Sequence, residues 1–383
     1  MQFTRQFLAV PTAQFALLIC ACGTFSAMPA QADAQEAETS NVSENRETLN
    51  RWHEIIKDSQ TDELGCFKLV FPQTRWEKSS CEVRTPNHGQ LLSELLTLAD
   101  SSRHKVEVHR EFSVNSVSAN TVGNRNDYVA QTAGHTWYAV GTFGTVTNVT
   151  SEKSVGGSGG ILGQNKYMLQ LNSQFGTSAQ VCNGFGYSAG CVLWQQFFYA
   201  IGGPHSNGQG TDTTNAYMQY WVFPSRADYG NTGNRCPSGW YDVTQSSGYP
   251  ACYRNSPAIL APTVPPNELH SLKLSAAAAR GNSTVTFTYS GNAYAVTYPD
   301  ILHLAEWWRA TEFNVVGDLG LSQAQFNSAA SITINLSVQD YTANPPACLN
   351  NGTATTGETN NLYLGTCKTL GGSTPSITFT ESN

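Results

Sequence analysis

The chain has 383 residues, a net charge of −7 and only 13% charged residues. It carries no basic cluster and no stripe of basic and aromatic residues, which argues against a nucleic-acid partner. The charge is unevenly spread: 25 of the 83 residues at positions 33–115 are Asp, Glu, Lys or Arg, against 23 of the 268 at positions 116–383.

A soluble domain carries about a quarter charged residues, so a charged leader precedes a large charge-poor region. That later region is rich in Gly, Ser, Thr, Asn, Tyr and Phe, the usage of a secreted all-β domain. It holds 10 basic and 13 acidic residues, so few carboxylates are present to titrate, and such a chain is suited to acid.

Residues 1–32 read as a secretory signal. Arg5 supplies the positive start, residues 7–22 are mostly apolar, and Ala30-Gln31-Ala32 is a small-x-small cleavage site. The apolar run is interrupted by Pro11 and Gln14 and is too short for a span of about 20 residues. The mature chain is therefore expected to be exported, either extracellular or periplasmic, with no membrane segment, and to be a monomer. Residues 33–46 are acidic and polar without apolar periodicity, which predicts disorder.

Leu49, Trp52, Ile55 and Ile56 predict a short amphipathic helix. Cys66-Phe-Lys-Leu-Val-Phe-Pro predicts a strand that Cys81 would staple into a hairpin. A second short helix is expected at residues 90–98. The charged segment 33–115 is read as a propeptide or a small N-terminal subdomain, and residues 116–383 as the main domain.

Beyond residue 126 the apolar period is two. Tyr167, Leu169 and Leu171 share one face, while Met168, Gln170, Asn172 and Gln174 share the other. Ile332, Ile334, Leu336 and Val338 alternate with Thr333, Asn335, Ser337 and Gln339, and Val285, Phe287 and Tyr289 alternate with threonines. Residues 194–200 are almost all large, which predicts a strand covered on both faces. Residues 216–223 form a further aromatic strand. Gly-rich linkers separate these runs, so the expected fold is an all-β antiparallel sandwich of jelly-roll or concanavalin-like kind. A helix is expected only at residues 299–310, where Ile301, Leu302, Ala305 and Trp308 could share a face.

Removal of the signal leaves Cys66, Cys81, Cys182, Cys191, Cys236, Cys252, Cys348 and Cys367. An even set in an exported chain predicts disulfides, and nearest-neighbour pairing closes four short loops. No CxxC or HxxxH spacing points to a metal. No GxSxG, phosphate-binding or dinucleotide motif occurs, and His135, His205, His270 and His303 lie far apart.

What remains is polar residues where apolar ones would pack at less cost. Gln170, Asn172 and Gln174 form one row, and Glu312 with Asn314 forms a second, opposite Phe313 and Val315. Amides offer donors and acceptors together, and surroundings readily move the proton affinity of a lone carboxylate. Such rows suit a polar polymer, a polypeptide or, alternatively, a polysaccharide. Trp194, Tyr199, Tyr217, Tyr220 and Trp221 could stack on sugar rings, although strand aromatics are more often core. Asp318 is a turn residue or a second carboxylate facing Glu312.

Several stretches resemble the eqolisins, the glutamic peptidases, in that family's order. They are Asn126-Asp-Tyr-Val-Ala with Val140-Gly-Thr-Phe-Gly-Thr-Val-Thr, then Gln170-Leu-Asn-Ser-Gln-Phe175 with Val192-Leu-Trp-Gln-Gln-Phe-Phe-Tyr199, then Ala305-Glu-Trp-Trp-Arg-Ala-Thr-Glu-Phe313. The resemblance implies an acid endopeptidase that needs no metal or cofactor. Glu312 would be the general base and Gln170 the oxyanion donor, with Asn172, Gln174, Asn314, Trp194 and Gln196 lining the substrate site. Glu306 is a second match for the glutamate, and on a helix it would pair with Arg309. The stapled segments 236–252 and 348–367 depart from the family's pattern and leave a binding or glycan-cleaving sandwich as the alternative.

Overall fold

Apolar residues at every second position fix which face of each strand turns inward. The computed structural model describes residues 47–49, 51–57, 63–83, 127–156, 162–202, 213–244, 249–279, 281–318, 322–350 and 359–383. The expected signal sequence, the acidic stretch 33–46 and the helix expected at 90–98 lie outside the described residues.

In chain order the strands are β1 (Gly65–Val70), β2 (Glu77–Ser79), β3 (Tyr128–Gln131), β4 (Tyr138–Thr147), β5 (Glu152–Val155), β6 (Gly163–Gln164) and β7 (Tyr167–Ser173). Next come β8 (Cys191–Ala200), β9 (Asn215–Pro224), β10 (Tyr241–Asp242), β11 (Cys252–Asn255), β12 (Ile259–Leu260), β13 (Leu272–Ala279), β14 (Asn282–Tyr289) and β15 (Asn292–Pro299). The series closes with β16 (Ala310–Gly317), β17 (Gln323–Phe326), β18 (Ser331–Gln339), β19 (Ala347–Asn350), β20 (Thr359–Asn360), β21 (Tyr363–Leu364), β22 (Lys368–Leu370) and β23 (Ser376–Ser382).

The first sheet runs β2-β1-β15-β14-β13-β4-β18-β23-β21, with β22 also on β23. The second runs β10-β11-β9-β8-β7-β16-β3-β19, with β12 also on β9. A small sheet, β20-β17-β5-β6, includes one parallel pairing, β17 with β20. The two large sheets are antiparallel and stack as a sandwich. Across the core, β13 and β14 meet β7, β8 and β9, while β16 meets β4 and β18.

The sandwich interior follows the alternation. In β18 the residues alternate strictly between buried and half-buried, whereas every residue of β8, β9 and β16 is buried. Phe287 of the first sheet stacks on Tyr199 of the second at 3.9 Å. Burying one such ring contributes about 1.5–3 kcal/mol. Gly141 of β4 is needed where Phe313 of the second sheet packs against the first: a Cβ there would lie 2.0 Å from the Phe313 ring.

The four disulfides pair nearest neighbours: Cys66–Cys81, Cys182–Cys191, Cys236–Cys252 and Cys348–Cys367. The first closes the expected leader hairpin, whose β1 adds to the first sheet with Cys66 opposite Val296. The helical segment 51–57 packs beside it. Trp52 is buried edge-on to Phe71, and its indole N–H donates to Gln73 O. Lys57 lies over the Trp137 and Tyr138 rings.

The helix expected at 299–310 is a correction. Only Leu304–Glu306 forms a 3-10 turn there, and six-residue helices occur instead at Ala179–Gly184 and Arg226–Asn231. The Asp300 carboxylate accepts from Leu304 N and Ala305 N, and His303 is left-handed at φ 54°. Those contacts turn the chain sharply between β15 and β16. The Glu306–Arg309 helical pair goes with it: Glu306 lies 3.4 Å from His303, and Arg309 bonds His135.

Candidate functional site

Both polar rows lie on the same face of the second sheet, because β7 and β16 are adjacent and antiparallel. Their register sets Glu312 opposite Asn172 and Asn314 opposite Gln170. The row through Glu312 continues as Asn172 on β7, Gln196 on β8, Gln219 on β9 and Asn255 on β11. One strip of amides and a carboxylate thus crosses five strands.

The strip is hydrogen-bonded end to end. Asn172 Nδ2 donates to Gln170 Oε1 at 3.2 Å and to Glu312 Oε2 at 3.1 Å. Asn172 Oδ1 accepts from Gln196 Nε2 at 3.1 Å. The Trp221 indole N–H is shared between Gln196 Oε1 at 3.0 Å and Gln219 Oε1 at 2.9 Å, and Gln219 Nε2 donates to Asn255 Oδ1 at 2.9 Å. Gln170, Asn172, Gln196 and Glu312 are each 3% exposed or less. A buried amide left without a partner costs about 1–3 kcal/mol, so this closure is what makes so polar a row tolerable. With Oε1 held by Asn172, Gln170 has its NH2 group left to offer a ligand.

Two other expected residues serve the backbone. Gln174 Nε2 donates to Trp307 O at 2.5 Å, while its Oε1 accepts from Arg309 N and Ala310 N. Trp194 donates its indole N–H to Ser173 O and packs against Phe175. Tyr199, Tyr217, Tyr220 and Trp221 are likewise buried. Trp308 stacks on Phe197 in the core. Asp318 follows Gly317 at the far end of β16, where its N–H donates to Ser154 Oγ. Glu306 sits on a surface turn outside the strand, its side chain 60% exposed, so Glu312 is the glutamate that joins the amide strip.

A second cluster adjoins the first. Asn314 Nδ2 donates to Asp127 Oδ1 and, at 2.9 Å, to Glu381 Oε1. Asn360 Nδ2 donates to Glu381 Oε2 at 2.9 Å. Burial pushes the Glu381 carboxyl up to about 8; the two amides pull it down, and the neighbouring Glu312 charge adds to the rise.

None of Asp127, Asn360, Glu381, Gln219 and Asn255 is singled out by the sequence reading. One signal for Glu381 was present: it shares the inward parity of Ile377 and Phe379, so a carboxyl occupies a core position. Asp127 lies within the Asn126-Asp-Tyr-Val-Ala stretch, and only the register of β3 on β16 brings it beside Asn314. Among the described residues no group of three or more His, Cys, Asp or Glu is arranged to hold a metal ion. No protein-family model matches the chain, and no curated protein is significantly similar to it.

Proposed function

We propose that this chain is the precursor of an exported, acid-acting endopeptidase of glutamic type, with Glu312 as general base and Gln170 as oxyanion donor. The observation that carries the reading is the Asn172 amide, which contacts Gln170 Oε1 and Glu312 Oε2 together and so holds both side chains around one point. The Glu312 carboxylate takes a proton from water as the water oxygen bonds to the peptide carbonyl carbon. The carbonyl electrons move onto oxygen, where the Gln170 NH2 stabilises the charge. Glu312 then passes its proton to the amide nitrogen, the C–N bond breaks, and one water has been consumed. Proton transfer of this kind contributes about 10²–10⁴-fold, and one oxyanion donor about 10²–10³-fold.

One further feature supports this reading. The four disulfides suit an exported protein. The test is hydrolysis of a peptide library between pH 2 and 7 by the acid-treated protein. Glu312→Gln should abolish turnover, and Gln170→Ala should lower kcat by about 10²-fold or more with KM little changed. Variants as active as the parent would reject the assignment, and cleavage of glycans but not peptides would favour the polysaccharide alternative.

A further inference from the structure

We propose that Glu381 is a positioning residue of the Glu312–Gln170 site: it holds a proton, fixes Asn314 opposite Gln170, and limits the negative charge beside Glu312. The proposal rests on the function given above.

Glu381 comes from the other sheet. It lies near the end of β23 with the parity of Ile377 and Phe379, is fully buried, and meets β16 through its bond from Asn314. Each of its oxygens has a defined donor, Asn314 on Oε1 and Asn360 on Oε2. Those donors are themselves anchored. Asn314 Oδ1 accepts from Val315 N at 2.7 Å, and Asn360 Oδ1 accepts from Leu362 N at 2.9 Å. An amide nitrogen has two hydrogens, and both of Asn314's are taken, one by Asp127 and one by Glu381. Asn314 is therefore held from two sides by carboxyl groups, directly across from Gln170.

The charges explain why one of these carboxyls must be neutral. The groups facing Glu381 are Glu312 and Asn314 from β16, Asp127 from the start of β3, and Asn360. Its cross-strand neighbours Ile332 and Leu364 are uncharged. Asp127, Glu312 and Glu381 are all buried within this small volume. Like charges in a low dielectric do not all ionise together, and a base at Glu312 has to be ionised to work. Burial and the neighbouring Glu312 charge both bias Glu381 toward keeping its proton, against the two amides that donate to it. Loss of that proton would add charge beside the base.

The experiment compares Glu381→Gln and Glu381→Ala with the parent in two measurements: the pH profile of peptide hydrolysis, and the thermal midpoint from pH 4 to 9. Glutamine is neutral at every pH. It still offers an acceptor to Asn314, while the Asn360 NH2 retains Val315 O at 3.2 Å and Asn314 Oδ1 at 3.4 Å. Glu381→Gln should keep the acid rate within about threefold and move the alkaline limb upward by about one pH unit or more. Its thermal midpoint should fall less between pH 5 and 8 than the parent's. Glu381→Ala should lower the rate by about tenfold or more at every pH.

Superimposed pH profiles for parent and Glu381→Gln would overturn the proposal, as would equal losses in both variants with an unshifted limb. If the parent hydrolyses nothing at any pH, the function itself has failed. The thermal arm then still decides whether Glu381 carries the proton, since parallel curves for parent and glutamine variant would remove it.

Discussion

Asn172 does more at the site than either residue it joins, because a single NH2 group sets the distance between Gln170 and Glu312. Replacing it with the similarly shaped Leu would leave Gln170 Oε1 and Gln196 Nε2 buried without that partner. We expect Asn172→Leu to lose about 1–3 kcal/mol in urea unfolding and to lower kcat far more than it raises KM. A loss under about 0.5 kcal/mol with unchanged kcat would mean that the bridge is incidental. The polarity of this row was legible in sequence, since Gln170, Asn172 and Gln174 share one strand face and Glu312 and Asn314 another. Their convergence was not, because it depends on which strands pair and in what register. The same limit hid Gln219 and Asn255, which gain their meaning only as continuations of the row. Gln174 shows the converse: it has the parity of Gln170, yet the turn before β16 claims all of its amide.

At the scale of elements, segment 51–57 and the β1–β2 hairpin show how charged leader residues join a charge-poor sandwich. His53 Nδ1 lies 2.8 Å from the Lys273 ammonium and, when neutral, accepts from it. Burial first, and then the Lys273 charge, push His53 down to about 4. Its folded value is thus below its ordinary 6.5, so the docking contribution is fully present above pH 6.5 and lost as the pH falls toward 4. Hydrogen exchange should show residues 51–57 opening progressively over that window. His53→Gln, which accepts without titrating, should remove the pH dependence; exchange that is flat with pH in the parent would contradict the docking account. The amphipathic helix and the stapled hairpin were readable from Trp52, Ile56 and the Cys66–Cys81 spacing. The helix expected at 299–310 failed because a helical period of apolar residues also suits a turn whose side chains drop into one core. There the Asp300 carboxylate competes successfully for the backbone N–H groups.

For the whole molecule, alternation, Gly-rich turns and an even cysteine set were enough to read the sandwich and its four local disulfides. Charge scarcity has a further consequence: the few buried carboxyls dominate the response to pH. Burial raises Glu152 to about 7 and Glu381 to about 8, both from an ordinary 4.5. Each then stays protonated in the folded chain where the unfolded chain has ionised. Their contribution is fully present below about pH 4.5 and is lost as the pH rises toward 7–8. The sandwich should therefore unfold at a higher temperature at pH 4.5 than at pH 8, by an amount worth a few kcal/mol. Thermal midpoints that are level or higher at pH 8 would contradict this. The sandwich and the leader helix accordingly respond to acid with opposite signs, one strengthened and the other loosened. The most direct test of the central claim incubates the 383-residue chain with a denatured protein from pH 2 to 7, beside Glu312→Gln. The account predicts substrate cleavage and loss of leader residues in acid for the parent, and neither for the variant. Cleavage by both proteins, or by neither with the fold intact, would contradict it.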